Sequence, residues 1–407
     1  MTDPILWLTP SFAPVARTPV ELAAMWLARL VMAFTAASLA YTMLAWVAAL
    51  RYRLRRRGEL GRAPAFAPPV SILKPLKGAD PALAEALRSH CKQSYSGGFE
   101  LLCGVAALDD PAASIVRALQ AEFPVLPIHL VECSEQLGAS GKVSTLVQLA
   151  RHARHEFLLA SDGDILVPPG YLARVMNAFT DSAVGLVTAL YRGRAARALW
   201  SRLESMTIST DFQPGVLTAV LLERGLHFAL GSTLAVRRTA LTAIGGFESL
   251  LNLLADDYEL GARIDRAGFR LALAPVVVET AVPDYRWPAF LAHQLRWLRT
   301  VRDSRRLGYL GLIFTHPVAL AVLAVLASGA GFWSLWLLVL ALLLRLSLAL
   351  QVGVGTLGDR QVFRDLWLLP LRDLLAFALW VASFASDQIE WRGHRFLLKN
   401  GTLTPIE

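Results

Sequence analysis

The chain has 407 residues, of which 55% are hydrophobic, and it carries a formal net charge of +8. This apolar fraction is too high for an average soluble domain, and the arginines cluster beside hydrophobic stretches. The composition therefore favours a membrane protein over a nucleic-acid-binding protein, and we expect no nucleic-acid partner.

The first predicted element is a membrane anchor. A proline-dotted tail precedes an almost wholly apolar run from Leu22 to Leu50, and the basic stretch 51–57 follows at once. About 20 apolar residues cross a bilayer, and basic residues mark the cytoplasmic flank. A cleaved signal peptide is the alternative, but the run is long and its basic flank lies on the wrong side. We expect residues 1–57 to be a tail and a retained anchor, and 58–68 a linker.

Residues 69–305 predict a soluble α/β domain. Apolar runs with strand character alternate with helical patterns of 10–12 residues, which indicates βαβ units and a mostly parallel sheet. The predicted strands are 69–75, 99–106, 128–131, 156–161, 184–190 and 230–236. The predicted helices are 81–92, 112–123 and 142–153, with an amphipathic helical region at 199–222.

Residues 306–390 predict membrane helices, followed by a basic tail at 391–407. The stretches 307–327 and 332–352 are each long enough to span a bilayer. The last apolar stretch, 366–386, contains Arg372 and Asp373, so a tilted, re-entrant or interfacial helix is expected there. The basic tail favours a cytoplasmic end and a last segment that does not span. We expect a multi-pass protein with its α/β domain in the cytoplasm.

Two carboxylates follow the fourth predicted strand. Asp162 and Asp164 are separated by one glycine and come directly after an apolar run. Ligands of open α/β sheets bind beyond the carboxyl ends of the strands. Mg²⁺ or Mn²⁺ takes one or two carboxylates and fills its other positions with water and phosphate oxygens. A divalent-cation site is therefore one interpretation, and a solvated turn is the other.

Three further groups follow strands or precede the membrane segments: Asp109-Asp110, Asp256-Asp257 and His293-Gln-Leu-Arg296-Trp297. Helix capping is the alternative for the aspartates, and anchoring at the membrane interface for Arg296 and Trp297. Sugar transfer from a nucleotide diphosphate would use all four groups together. It needs an acid that binds the nucleoside, a cation, a base for the acceptor hydroxyl and a guanidinium for the phosphates.

The order of these motifs resembles the ceramide glucosyltransferase family, glycosyltransferase family 21. The resemblance rests on Val70-Ser-Ile-Leu-Lys-Pro-Leu-Lys-Gly78, the stretch after Asp109, Asp162, Asp256-Asp257-Tyr258 and the final Arg-Trp pair. It covers about residues 69–305 and is closest to the bacterial relatives, including the hopanoid-biosynthesis glycosyltransferases. It implies a GT-A (Rossmann-like) fold, a UDP-sugar donor, Mg²⁺ or Mn²⁺, inversion at the anomeric carbon and a lipid alcohol as acceptor.

The resemblance also assigns roles to residues. Asp110 is expected near the uridine, Asp162 and Asp164 at the metal, and Asp257 as the general base. Arg296 and Trp297 end a (Q/R)xxRW motif that is expected at the diphosphate and acceptor. Lys142 is expected to face the donor phosphates.

His293 departs from the motif, since it stands where the family has Gln or Arg. It lies three residues from Arg296, so both side chains could share one helix face. The departure favours a polycyclic or other long-chain lipid alcohol over a sphingolipid. Weaker candidates are Lys74 and Lys77 for donor binding, His227 and Asp211 on the acceptor side, and Gly231-Ser232 near the sugar.

The sequence predicts a membrane-bound lipid glycosyltransferase, in a bacterial inner membrane according to the resemblance. One alternative is a processive polysaccharide synthase, although the predicted spans are few for a channel. The other is a non-catalytic membrane scaffold that binds a nucleotide. The sugar, the acceptor and the oligomeric state stay open.

Overall fold

The computed structural model describes residues 18–391, 394–399 and 401–405. Almost all of the predicted N-terminal tail, 1–17, lies outside the described residues, as do 392–393, 400 and 406–407 of the predicted basic tail.

The fold joins an α/β domain to a set of long apolar helices. The helices are α1 (Pro19–Leu60), α2 (Leu83–Cys91), α3 (Pro111–Glu122), α4 (Gly141–His152), α5 (Tyr171–Asn177), α6 (Leu199–Thr207), α7 (Gln213–Leu222), α8 (Arg238–Ala243), α9 (Asp256–Arg266), α10 (Trp287–Ser304), α11 (Arg306–Gly311), α12 (Pro317–Ala327), α13 (Phe332–Ala349), α14 (Arg360–Arg364) and α15 (Leu369–Ser383). The strands are β1 (Val70–Pro75), β2 (Phe99–Val105), β3 (Ile128–Glu132), β4 (Phe157–Ala160), β5 (Ile165–Leu166), β6 (Val184–Ala195), β7 (Leu234–Arg237), β8 (Arg270–Val282), β9 (Gln388–Trp391), β10 (His394–Lys399) and β11 (Thr402–Pro405).

The central sheet has eight strands in the order β3-β2-β1-β4-β7-β6-β8-β5. The pairs β1–β2, β1–β4, β2–β3 and β6–β8 are parallel, as the alternating pattern predicts. The pairs β4–β7, β6–β7 and β5–β8 are antiparallel. The sheet is therefore mixed rather than mostly parallel, and the strands 165–166 and 270–282 are absent from the sequence-based prediction.

The inner strands are buried along their length. Residues 70–74 of β1, 157–160 of β4 and 184–191 of β6 are all buried. Strands covered on both faces read as continuous apolar runs, which explains why these three were predicted correctly.

Helix α1 is a single element of 42 residues that begins with a capping box at Thr18 and Glu21. It includes the predicted basic stretch and the first three residues of the predicted linker. Its last turns contact both β8 and the segment after α13: Arg56 donates to the carbonyl oxygens of Pro275, at 3.0 Å, and Thr356, at 2.6 Å. The Tyr52 hydroxyl donates to the carbonyl oxygen of Ala274 at 3.3 Å. The basic stretch therefore also joins the anchor to β8.

The predicted span 307–327 is broken. Helices α11 and α12 are bent by 65° at a break that ends at Pro317. Proline lacks an N–H group and fits the first turn of a helix but not its interior. This stretch is either a broken span or a re-entrant loop, rather than the one continuous helix that was expected.

Among the described residues, three helical stretches are long and apolar enough to cross a membrane, or four if the bent pair counts as one span. They include the last apolar stretch, at Leu366–Ser383. Its charged residues are buried in a network, since both Arg345 and Arg372 donate to Asp373 at 2.7 Å. Arg372 also donates to Asp211 at 2.5 Å. The charges inside this helix therefore face other helices, because each has a partner there.

The described residues of the predicted basic tail, together with the segment just before it, form a small antiparallel sheet in the order β11-β10-β9. Arg299 of α10 donates to the carbonyl oxygen of Gln388 at 2.6 Å, which places β9 against α10. A bridge between Leu253 and Thr402 joins β11 to the loop before α9.

Candidate active site

The loop after β4 carries Asp162 and Asp164, and Lys74 of the neighbouring strand holds it in place. The Lys74 ammonium donates to the Ser161 hydroxyl at 3.0 Å and to the Asp162 carbonyl oxygen at 2.9 Å. Burial lowers the pKa of Lys74 to about 8, although Asp162 and Asp164 act in the opposite direction. The structure gives this lysine a role in shaping the loop, and its direct contact with a donor stays a prediction.

Lys142 brings two of the predicted acidic groups together. It lies in the first turn of α4, whose N-cap Ser140 accepts from the Val143 N–H at 3.3 Å. Its ammonium is 2.9 Å from Asp162 Oδ1 and 3.1 Å from Asp256 Oδ2. Burial would lower the pKa of Lys142, but the attraction of Asp162, Asp256 and Asp257 outweighs it and raises that pKa. The ammonium is therefore charged and links the loop after β4 to the start of α9.

Asp257 is the carboxylate best suited to accept a proton. Its Oδ1 accepts from the Tyr258 N–H at 2.8 Å, and a Cβ placed on Gly231 would lie 2.9 Å from its Oδ2. Burial and the charge of Asp256 raise the pKa of Asp257 to about 6, while Lys142 opposes the rise. A base works best when its pKa is close to the operating pH, so this carboxylate fits the role.

Asp164 lies at the edge formed by β5 and β8. Its Oδ2 accepts from the Thr280 hydroxyl at 2.5 Å, and burial together with the charge of Asp162 raises its pKa. In the described part of the chain, no cluster of three or more His, Cys, Asp or Glu side chains could hold a metal. Two carboxylates two residues apart instead fit an Mg²⁺ or Mn²⁺ ion that completes its coordination with water and phosphate oxygens.

Asp110 follows β2, whose carboxyl end points the same way as those of the parallel strands β1 and β4. It caps α3, since its Oδ1 accepts from the Ala112 N–H at 2.8 Å, and it also accepts from the Gly78 N–H at 2.9 Å. The capping interpretation is therefore correct, and the carboxylate also ties the loops after β1 and β2 together. Its contact with a uridine stays a prediction. Asp109, by contrast, is exposed.

Helix α10 carries the third group of predicted residues. Trp297 packs its ring on Phe212 and His293, with centroids 5.6 Å and 5.7 Å apart. Arg296 Nη2 is 3.0 Å from His293 Nδ1, so the two side chains share a helix face as the spacing predicts. His293 Nε2 in turn lies 2.9 Å from Glu204 Oε1 of α6.

The charges at the candidate site shift the pKa of two tyrosines, Tyr191, which is buried, and Tyr285, which is half-buried. The pKa of Tyr285 is raised by burial and then by Glu204, and is opposed by Arg296. The pKa of Tyr191 is raised by burial and then by the charges of Asp257, Glu204, Asp162 and Asp164. Asp164 and Glu204 raise the pKa of both tyrosines, and Tyr285 packs on His293 with the ring centroids 5.4 Å apart.

Of the weaker candidates, two lie at the site: Lys74 holds the loop after β4, and Gly231 lies against Asp257. Lys77 is exposed, and His227 is 2.9 Å from Asp265 at the far end of α9. Asp211 belongs to the charged network of the apolar helices.

Sequence reasoning missed Glu204 and Thr280, which contact predicted site residues. Glu204 lies in the predicted amphipathic helical region 199–222, where no motif distinguished it from the other polar residues. Thr280 lies in the unpredicted strand β8, where the β-branched run from Val276 to Val278 gave a signal that could have been used.

The mixed sheet with aspartates after its strands, followed by the amphipathic helix α10, is the architecture that the resemblance to a GT-A fold predicts. The fold is similar to that of the mannosyltransferase PcManGT from Pyrobaculum calidifontis, solved in complex with GDP-Man and Mn²⁺. The TM-score is 0.51 and the identity 21%, over 86% of this chain and 97% of that chain. The expected GT-A fold is thereby confirmed.

The chain belongs to glycosyl transferase family 21, whose sequence profile matches residues 30–404. It is 23% identical to ceramide glucosyltransferase 3 of Caenorhabditis elegans over 370 residues, which cover 87% of this chain and 78% of that protein. It is 26% identical to ceramide glucosyltransferase 1 of the same organism over 208 residues, which cover 51% of this chain and 44% of that protein. The resemblance seen in the motifs is confirmed.

Proposed function

We propose that this protein is a membrane-bound inverting glycosyltransferase that moves one sugar, glucose or N-acetylglucosamine, from a UDP donor to the hydroxyl of a lipid. The observation that carries the proposal is the charged Lys142 between Asp162 and Asp256, beside an aspartate whose pKa is raised to about 6. Sugar transfer from a nucleotide diphosphate requires positive charge at the phosphates, acids that bind the donor and a base for the acceptor hydroxyl.

The reaction begins with the acceptor. Asp257 removes the proton of the lipid hydroxyl while that oxygen attacks the anomeric carbon from the face opposite the diphosphate. The bond between the anomeric carbon and the diphosphate oxygen breaks, and its electron pair leaves with UDP. A single displacement of this kind inverts the anomeric carbon.

The leaving diphosphate needs positive charge around it. Lys142 supplies one cation, and Arg296 supplies a planar guanidinium that suits phosphate oxygens. A bound Mg²⁺ or Mn²⁺ at Asp162 and Asp164 would neutralise further charge on the phosphates. Asp110 would hold the nucleoside at the end of β2, and Trp297 would pack near the acceptor.

The membrane supplies the acceptor in this proposal. Helix α1 and the C-terminal helices would cross or enter the bilayer, with residues 69–305 forming the catalytic domain on the cytoplasmic side of a bacterial inner membrane. Family membership and the names of the relatives support a lipid alcohol such as ceramide as acceptor. The departure at His293 is the reason to propose a hopanoid-like alcohol beside it.

The test uses the full chain in lipid nanodiscs with Mn²⁺, a panel of UDP-sugars and GDP-mannose, and ceramide and hopanoid alcohols. We expect one UDP-sugar to give a singly glycosylated lipid by mass spectrometry, with inverted anomeric configuration by NMR. A ladder of products would instead support a processive synthase. UDP binding without transfer would support a scaffold, and transfer from GDP-mannose alone would refute the UDP donor.

A further inference from the structure

Glu204 is a buried carboxylate for which neither the sequence motifs nor the reaction proposed above has a role. It lies on α6 and is 5% exposed. Its Oε1 is 2.9 Å from His293 Nε2, and its Oε2 accepts from Gln294 Nε2 at 3.2 Å. Two consecutive residues of α10 therefore direct hydrogen-bond donors at this one carboxylate. The loss of either donor would cost free energy, because it would leave a buried carboxylate oxygen without a hydrogen bond.

The hydrogen bonds fix which nitrogen of His293 carries the proton. A guanidinium can only donate, so at 3.0 Å from Arg296 Nη2 the Nδ1 atom of His293 must be the acceptor. In the neutral ring the proton is then on Nε2, which donates it to Glu204. The three side chains form a chain in which Arg296 donates to His293 and His293 donates to Glu204.

Without Glu204, the opposite tautomer of His293 becomes available. A proton on Nδ1 would face the Nη2–H of Arg296, and two donors would repel each other at that distance. Arg296 would then leave its position one helical turn from His293. The position of the Arg296 guanidinium thus depends on Glu204, which contacts His293 rather than Arg296 itself.

We infer that Glu204 is a positioning residue that orients Arg296 for the diphosphate of the donor by fixing the tautomer of His293. The inference rests on the proposed function, because it takes the ligand of Arg296 to be a nucleoside diphosphate. It also relates His293 to the glutamine, though not to the arginine, that the family has at this position. Like a glutamine side chain, a neutral imidazole offers one acceptor and one donor at its two ends.

The principal test is Glu204→Met, which keeps the length of the side chain and removes the acceptor. We measure UDP affinity by titration calorimetry with Mn²⁺ and the KM and kcat for the donor. We expect UDP affinity to fall and the donor KM to rise by about tenfold or more, as when the outer partners that orient metal ligands are removed. In a Glu204→Met, Arg296→Ala double variant, the loss should equal that of Arg296→Ala alone within about twofold.

A second pair of variants tests the role of the tautomer. His293→Gln keeps one acceptor and one donor, so UDP affinity should stay within about threefold of that of the wild type, whereas His293→Leu should lose as much as Glu204→Met. Glu100→Gln is the matched control, because Glu100 is equally buried, at 3%, and lies at the opposite end of its strand from the site. It should lower thermal stability and leave UDP affinity unchanged.

The inference is overturned if Glu204→Met keeps wild-type UDP affinity. It is also overturned if the loss of UDP affinity in the double variant equals the product of the losses in the two single variants. A wild-type chain that binds UDP but transfers no sugar refutes the proposed function, and the affinity comparison still decides the role of Glu204. A wild-type chain that binds no nucleoside diphosphate overturns both.

Discussion

The raised pKa of Asp257 predicts how transfer depends on pH. A base must be ionised to accept a proton, so activity is present above its pKa and is lost as the pH falls through about 6. A carboxyl group with that pKa is about 90% ionised at pH 7 and about 10% at pH 5. The kcat/KM for the donor should therefore fall about tenfold between these two pH values, because kcat/KM reports on the free enzyme.

The assay follows kcat/KM from pH 5 to 8 at constant ionic strength in nanodiscs. Asp257→Asn should lower kcat by about 10²–10⁴-fold, the usual contribution of a positioned base. Lys142→Met should move the midpoint of the profile upward, because the ammonium opposes the rise in the pKa of Asp257. Asp265→Asn, on the same helix but in a pair with His227, is the control and should keep the wild-type profile. A wild-type kcat/KM that is constant from pH 7 to pH 5 would refute the reasoning.

Three further predictions concern the metal, the glycine beside the base and the apolar helices. Asp164→Asn should raise the Mn²⁺ concentration for half-maximal activity at least tenfold, and an unchanged titration curve would remove Asp164 from the metal site. Gly231→Ala should lower kcat by about 10- to 100-fold with little change in melting temperature, because the new Cβ would displace the Asp257 carboxylate. Asp373→Asn should destabilise the fold by about 3–5 kcal/mol, since it leaves Arg345 and Arg372 buried without their shared partner. Its melting temperature in detergent checks this, and a change within error of the wild type would count against the network.

The parallel half of the sheet could be predicted because its strands are buried on both faces. Strands such as β1 and β4 read as continuous apolar runs bounded by turns, and the helices between them have the expected length. Strand β8 contains Pro275 in its interior, and a proline argues against a strand inside a sheet, which explains why the local pattern did not reveal it. The antiparallel pairing of β4 with β7 depends on contacts between distant segments, which a local pattern does not contain.

In the candidate site, too, some residues could be predicted from local motifs and others only from tertiary contacts. Its aspartates, Lys142 and Arg296 could be found from short motifs at the ends of strands and in α10. The bridge from Lys142 to Asp256 joins residues more than a hundred positions apart, so spacing could not reveal it. Glu204 could not be predicted from the sequence at all, since it contacts the motif only through the tertiary packing of α6 on α10.

The length of α1 has a consequence for the choice of acceptor. At 1.5 Å per residue, its 42 residues form a rod about 63 Å long, roughly twice the thickness of the hydrocarbon core. Arg56 binds the end of this helix to β8. The candidate active site would therefore stay at a constant height above the bilayer. Acceptors would then be sorted by how far their hydroxyl projects from the lipid surface, and inserting one turn into α1 before Tyr52 should change which lipids are glycosylated.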